Sequence, residues 1–217
     1  MSFVRQTSGA DGAHPVTLIG VVHDHPASIH RVEALIEHLQ APILALELSP
    51  LLVPVFETRA ESATTGPGRE FQAAIAASES PRVVGIDGPT LGFLATLIST
   101  IHIDDHTVRT GLTTLREVCR ATVQGVSYRL GRECDATEVT HDVSLADTPA
   151  RQASDERQQV KTATAISNAF DPSAAVACRD ETRERYMARR LERLRTSGPV
   201  VAIVGHDHLD PIAEHLS

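Results

Sequence analysis

The stretch VTLIGVV at residues 16–22 is followed at once by HDHP at residues 23–26. The first part is a short apolar run rich in β-branched residues, which predicts a buried strand. Proline suits the first turn of a helix, and apolar residues then recur at helical spacing as far as Gln40. A buried strand that leads directly into an amphipathic helix is typical of α/β proteins.

The same alternation continues along the chain. Helical segments between residues 51 and 80 are predicted to break at Pro54 and at Gly66-Pro67-Gly68. Further apolar runs predict strands at Ile43–Leu48, Val83–Ile86 and Val200–Val204. Strands that alternate with helices favour a parallel arrangement, so we expect an α/β fold with a mostly parallel central sheet flanked by helices.

The middle of the chain departs from this alternation. We expect one domain over residues 1–217, with a helical or lid-like insertion at about 105–175. The polar, nearly aperiodic stretch at 131–153 is interpreted as a surface excursion or lid. The predicted helices of this half cover Thr90–Ile101, about 107–130, a segment from near Ser154, Ser173 to about Thr196, and a short terminal helix capped by Asp210-Pro211.

Composition excludes several classes of protein. The 217 residues are 41% hydrophobic and 22% charged, with a net charge of −8 and a single lysine, Lys161, a composition that resembles salt-adapted or GC-rich proteomes. An acidic chain without a basic cluster is a poor partner for nucleic acid. No apolar run is long enough to span a membrane and no secretory signal is present, so we expect a cytoplasmic protein. Three cysteines without CxxC spacing indicate neither a disulfide framework nor a zinc knuckle.

Two predicted strands end in the same pattern, GxxH. The first is Gly20 to His23 and the second is Gly205 to His208. Ligands of parallel α/β sheets bind beyond the carboxyl ends of the strands, where a glycine permits close approach and the following histidine can reach into the crevice. We therefore expect His23 and His208 to serve the function.

Both histidines also belong to an HDH triplet, at 23–25 and at 206–208. In extended backbone the two histidines of a triplet lie on the same side, at a spacing that could chelate a metal ion. The alternative is that each aspartate starts a helix while His25 and His206 are exposed. We favour this second interpretation for His25 and His206.

Two carboxylates occupy the ends of other strands. Glu47 ends the apolar stretch ILALE, and burying it is costly unless it is paired, ligated or catalytic. Asp87 follows the strand VVGI, although before Gly88-Pro89 it is equally typical of a turn. Two histidines and one or two carboxylates at neighbouring strand ends predict either a divalent-metal site with open positions or a metal-free pair of bases that activates water.

The chain resembles the TraB family of pheromone-shutdown type, whose superfamily also contains TIKI metalloproteases, erythromycin esterases and ChaN-like haem-binding proteins. One of the similar segments, TRERYMA at residues 182–188, resembles the family's Glu-Arg-Asp-x-x-Met helix. The closing strand and its GxGH motif correspond to Val201–Ile212, which pairs His208 with the family histidine. The resemblance lies in Gly20–His23, Glu47-Leu48, Ile86-Asp87, Thr182–Ala188 and Val201–Ile212.

The resemblance implies a hydrolase, and the TIKI proteins point to a peptide bond. We expect His23, Glu47, His208 and Asp87 to hold a divalent ion, Mn²⁺, Co²⁺ or Zn²⁺, or His23, Glu47 and His208 to polarise water as catalytic residues. Arg183 is implied to be the family arginine, which would stabilise a developing oxyanion. The substrate would be a peptide or a small molecule. The alternative is a non-catalytic regulatory protein of pheromone-shutdown type that binds a peptide or a metal.

Departures from the family pattern bear on the substrate. Ser49-Pro50-Leu51-Leu52 lacks the arginine that commonly follows the family's Glu-Leu, and Gly88 stands in place of the arginine after Asp87. Asp207 replaces the second glycine of GxGH. Lost arginines weaken recognition of anions and carboxylates, so we expect a different substrate preference.

The basic stretch from Arg179 to Arg195 alternates arginine with acidic residues. This alternation is typical of a solvated helix face with i,i+4 ion pairs. Tyr186-Met187, Leu191 and Leu194 occupy the apolar face of the predicted helix. We therefore expect most of its charged side chains to be solvated, including Glu181, Glu184, Glu192, Arg185, Arg189 and Arg190.

Overall fold

A computed structural model gives the structure of the protein. The described residues are 2–9, 12–62, 66–79, 82–88, 90–103, 110, 112–116, 120, 141–169 and 172–217.

A five-stranded sheet forms the centre of the fold, in the order β1-β2-β5-β3-β4. Strands β2, β5, β3 and β4 are parallel, and β1 pairs antiparallel with β2 at the edge. Their bounds are β1 Val4–Thr7, β2 Val16–Val21, β3 Ile43–Leu46, β4 Arg82–Gly85 and β5 Val200–Gly205. The predicted α/β fold with a mostly parallel sheet is confirmed, and β1 is an addition that the sequence did not predict.

Helices cover both faces of this sheet. Alternation along β5 divides the core: Val200, Ala202 and Val204 pack on one face, and Val201 and Ile203 pack on the other. The helices are α1 Pro26–Leu39, α2 Val53–Ser62, α3 Arg69–Ala77, α4 Leu91–Ile103, α5 Pro149–Ala169, α6 Ala174–Leu194 and α7 His206–His215. Side chains of α6 and α7 pack on the first face, and those of α1, α2 and α3 pack on the second.

Several predicted boundaries are wrong, each for a local reason. Pro54 does not break a helix because it lies in the first turn of α2, where its missing N–H has no partner to lose. Helix α7 begins directly after Gly205, so Pro211 lies inside it and does not cap it. Helix α5 begins at Pro149, earlier than the predicted start near Ser154.

The predicted helix at about 107–130 and the first part of the polar excursion fall mostly outside the described residues. The later part of the excursion, residues 141–148, is described and leads into α5. Within the described ranges, no helix is both long enough and apolar enough to cross a membrane.

Candidate functional site

The carboxyl ends of β2, β5 and β3 meet at a cleft of about 380 Å³. Because β5 lies between β2 and β3, the residues that follow these strands converge on one place. Among the described residues, the strand-end side of the cleft is lined by Val21, Val22, His23, Glu47, Arg183 and residues 205–208, and the other side by Gln159, Val160 and Ala163 of α5.

Gly205, the last residue of β5, lies at the centre of this arrangement. A Cβ atom on Gly205 would be 3.3 Å from Oε2 of Glu47, 3.6 Å from Nε2 of His23 and 3.7 Å from Cδ2 of His208. The prediction that His23, Glu47 and His208 lie together at one end of the sheet is therefore confirmed. Because residue 205 is a glycine, the space between these three side chains is open.

His23 is oriented by a buried carboxylate of α3. Its Nδ1 lies 2.7 Å from Oε1 of Glu70, whose side chain is wholly buried, while the His23 side chain is half exposed. The other oxygen of Glu70 accepts the backbone N–H of Asp24 at 3.0 Å. A carboxylate partner places the proton of His23 on Nδ1, so Nε2 presents its lone pair to the cleft.

The turn that carries His23 is built by Asp24. Its φ of 58° is left-handed, a conformation that aspartate adopts more readily than most residues. Its Oδ1 accepts the N–H groups of Gly68 and Arg69 at 2.8 Å each, and so caps α3 from another part of the chain. Glu70 is thereby fixed one residue inside the helix that faces His23.

His208 has the same kind of partner. Its Nδ1 lies 2.8 Å from Oε1 of Glu184 in α6, and its Nε2 lies 3.0 Å from Nη1 of Arg183. A guanidinium group can only donate, so Nε2 of His208 accepts and Nδ1 donates to Glu184. Unlike that of His23, the Nε2 lone pair of His208 is already engaged.

Arg183 links the two carboxylates that end β3 and follow β4. Its Nη2 lies 2.5 Å from Oε1 of Glu47 and 2.8 Å from Oδ2 of Asp87. The other oxygen of Glu47 accepts the N–H of Gly205 at 2.5 Å. Both oxygens of this nearly buried carboxylate are therefore occupied. Arg183 reaches the cleft from its helix, as the resemblance implied.

These contacts shift three pKa values upward. The hydrogen bond that His23 donates to Glu70 raises the pKa of His23 above its usual value, against the effect of burial. Burial lowers the pKa of His208, but Glu184 and Glu47 outweigh it, so that pKa is also raised. Burial likewise lowers the pKa of Arg183, while Asp87 and Glu47 raise it well above its usual range. Arg183 therefore stays charged at every pH of interest.

The expected exposure of His25 is wrong. His25 is wholly buried; its Nδ1 caps α1 by accepting the N–H of Ala27, and its Nε2 lies 3.1 Å from Oδ2 of Asp155. The expectation that the aspartates start the helices is also wrong, because His25 and Gly205 are the N-caps of α1 and α7. His206 is half-buried against Phe3, with ring centroids 4.9 Å apart, and its Nδ1 has no hydrogen-bonding partner among the described residues.

The expectation for the α6 charges is also partly wrong. Glu184 is only 8% exposed and binds His208, so it belongs to the site and not to a solvated face. Arg185 is mostly buried and pairs with Glu181 at 2.6 Å. Arg189 is exposed as expected, and Arg190 reaches the carbonyl of Gly85 at 3.0 Å. The charge pattern along one helix does not predict which of its side chains bind residues of other helices or strands.

The residues of the predicted metal site do not present a free set of ligands. Both oxygens of Glu47, Oδ2 of Asp87 and Nε2 of His208 contact Arg183 or a backbone N–H. The permanent charge of Arg183 lies among them, and it would repel a divalent cation. Within the described ranges, no group of three or more histidine, cysteine or acidic side chains is arranged to hold a metal. The donor set in this arrangement does not fit a divalent ion.

Two carboxylates of the site, Glu70 and Glu184, were not predicted as functional. Glu70 stands in the first turn of an amphipathic helix, where an acidic residue is ordinary. Glu184 was assigned to a solvated charge pattern. The only signal for them in the sequence is indirect, since a functional histidine generally needs a group that orients its other ring nitrogen.

Comparison with known proteins adds no relative. No protein-family model, curated protein or solved structure matches this chain.

Proposed function

We propose that this chain is a hydrolase that cleaves an ester or amide bond with a water molecule activated by His23. The observation that carries the proposal is the pair formed by His23 and Glu70: a half-exposed imidazole held through Nδ1 by a wholly buried carboxylate, with Nε2 facing the cleft. A histidine base oriented by a carboxylate is the arrangement that serves general-base catalysis in Ser-His-Asp enzymes.

The other residues would divide the remaining work. Nε2 of His23 takes a proton from water, and the resulting hydroxide attacks the carbonyl carbon. Arg183 lines the same cleft as His23 and would stabilise the oxyanion that forms on the carbonyl oxygen. Collapse of the tetrahedral intermediate expels the alcohol or amine, which takes the proton back from His23. The products are the acid and the alcohol or amine.

Glu47, Asp87 and His208 serve this scheme as positioning residues. Glu47 ties Arg183 to the N–H of Gly205, and Asp87 holds the same guanidinium from the other side. His208 accepts from Arg183 and is itself held by Glu184. The guanidinium is thereby fixed before substrate binds, which lowers the reorganisation needed in the transition state.

The position of Arg183 favours activation of water without a metal. The divalent-metal version of the hydrolase stays a prediction, and in it Arg183 would have to leave the donor atoms that it now contacts. A peptide substrate, which the TIKI proteins suggest, also stays a prediction.

Turnover on ester and dipeptide libraries tests the proposal. The protein is treated with a chelator and assayed as wild type, His23→Ala and His38→Ala. His38 is an exposed histidine on α1 and serves as the matched control. We expect the chelated wild type and His38→Ala to hydrolyse the same substrates and His23→Ala to lose the activity. Turnover by none of the proteins, with a ligand bound stoichiometrically, would favour the non-catalytic binding protein.

A further inference from the structure

Helix α5 forms the side of the cleft that faces the catalytic groups. Gln159, Val160 and Ala163 line the cleft together with Arg183 and His208. These residues come from the insertion, a part of the chain to which the sequence assigned no functional residue. The wall that they form is uncharged, whereas the charged residues among the described lining, Glu47, Arg183 and Asp207, lie on the strand-end side.

The rotation of α5 about its axis is fixed by a buried acid. Glu156 is 1% exposed, and its Oε1 accepts the hydroxyl of Ser28 at 2.5 Å while its other oxygen pairs with Arg31. One residue earlier, Asp155 binds His25. A buried carboxylate is costly unless its partners stay in place, so these contacts allow one orientation of the helix.

That orientation selects the residues that face the cleft. Val160 and Ala163 follow Glu156 by four and seven positions, which places all three on one face of the helix. Val160 is 4% exposed, whereas Ala163, about one turn further along, is exposed; both line the cleft. Because alanine is small, a larger side chain at position 163 would reduce the open volume of the cleft.

The chemistry of the cleft limits what can lie against this wall. Arg183 already donates from Nη2 and Nε to Glu47 and Asp87, so among the described cleft residues it offers a substrate carboxylate no pair of N–H groups for a bidentate contact. One N–H of Nη1 has no partner among these residues and is the group that would meet a single oxyanion. Val21 and Val22 add apolar surface on the strand side. A volume of about 380 Å³ is near the lower end for small-molecule sites. Short, uncharged acyl groups fit these conditions best.

We propose that Val160 and Ala163 are specificity-determining residues that receive a short, uncharged acyl chain of the substrate. This inference rests on the proposed hydrolase, since it places the acyl chain beside the carbonyl that His23 and Arg183 act on. It assigns the insertion a role in substrate selection.

The test compares p-nitrophenyl acetate with p-nitrophenyl butyrate on the full chain. Ala163→Phe narrows the cleft, and Ala165→Phe makes the same substitution on the same helix at a residue that does not line it. We expect Ala163→Phe to lower the butyrate-to-acetate ratio of kcat/KM about tenfold or more, and Ala165→Phe to leave it within about twofold. An equal ratio in the two variants overturns the inference and leaves the hydrolase intact.

A binding measurement decides the case in which the wild type hydrolyses neither ester. Butyramide is then titrated into the protein, and chemical shifts of the Val160 methyl groups are followed by NMR. Saturable shifts in wild type and Ala165→Phe that vanish in Ala163→Phe would support the binding of an acyl chain against Val160 and Ala163, although the proposed hydrolase would have failed. The absence of shifts in the wild type, or their persistence in Ala163→Phe, would overturn the inference.

Discussion

Nδ1 of His23 lies 2.7 Å from a carboxylate oxygen of Glu70, a residue 47 positions further along the chain whose side chain is wholly buried. The ring nitrogen that faces the cleft is therefore the one free to accept a proton. Burial of Glu70 also keeps water from competing for the contact, which makes it strong and directional. The proposed chemistry depends on this pair more than on any other contact of the site.

Removal of Arg183 is expected to destabilise the fold as well as the site. In Arg183→Met, the nearly buried Glu47 loses one partner and Asp87 loses the guanidinium on its Oδ2. Breaking a mostly buried ion pair from one side costs about 3 kcal/mol. Urea unfolding should show this loss, whereas Arg193→Met, at an exposed position of the same helix, should stay within about 0.5 kcal/mol of wild type. Equal effects of the two substitutions would mean that the network contributes nothing to stability.

Stability should fall as the pH rises above neutrality. The folded-state pKa values of His23 and His208 are raised above the usual histidine value of about 6.5. A raised histidine pKa contributes stability that is complete below about pH 6.5 and is lost as the pH rises through the folded-state value.

Unfolding in urea between about pH 6 and pH 8 measures this slope. Glu70→Gln removes the contribution of His23 and should flatten the slope, while Glu37→Gln, an exposed acid on α1, should leave it unchanged. The account of His23 is wrong if the wild type and Glu70→Gln show the same dependence on pH.

Gly205→Ala should remove activity while the fold remains. The backbone of Gly205 has φ −56° and ψ 143°, which alanine also adopts, so no strain arises from the backbone. The added methyl group would occupy the space between Glu47, His23 and His208. We expect kcat/KM to fall about 100-fold and the free energy of unfolding to change by about 1 kcal/mol or less. Wild-type activity in this variant would show that the reaction does not use this space.

Metal dependence separates the two versions of the hydrolase. An ion that binds only the native state stabilises it by about 2.7 kcal/mol at a hundredfold excess over Kd. With Arg183 among the donor atoms, we expect Mn²⁺, Co²⁺ and Zn²⁺ to leave the Tm of the chelated protein unchanged. A rise in Tm that His23→Ala and His208→Ala each abolish would instead establish the metal site that the resemblance implies.

The position of the candidate site could be predicted because the ends of buried strands can be recognised in the sequence. Parallel strands bring their carboxyl ends to one edge of a sheet, so the sequence alone places the two GxxH motifs and Glu47 together. Arg183 was predicted to belong to the site because its helix resembles a helix of the TraB family. None of these inferences needed a contact between distant helices.

What could not be predicted depends on such contacts. Glu70 faces His23 only because Asp24 caps α3 across the chain. Glu184 fits a solvated charge pattern equally well unless the position of His208 is known. His25 is covered by Asp155, which follows it by 130 positions. Local spacing carries no information about these pairings.

The most direct test of the central claim measures one pKa in two ways. Side-chain NMR of His23, assigned by comparison with His23→Ala, gives the pKa of the imidazole, and the pH dependence of kcat/KM gives the pKa of the catalytic base. We expect both pKa values to lie above about 6.5 in the wild type, to agree with each other, and to fall together in Glu70→Gln. A kinetic pKa that differs from that of His23, or that does not move in Glu70→Gln, would contradict the claim that His23 is the base.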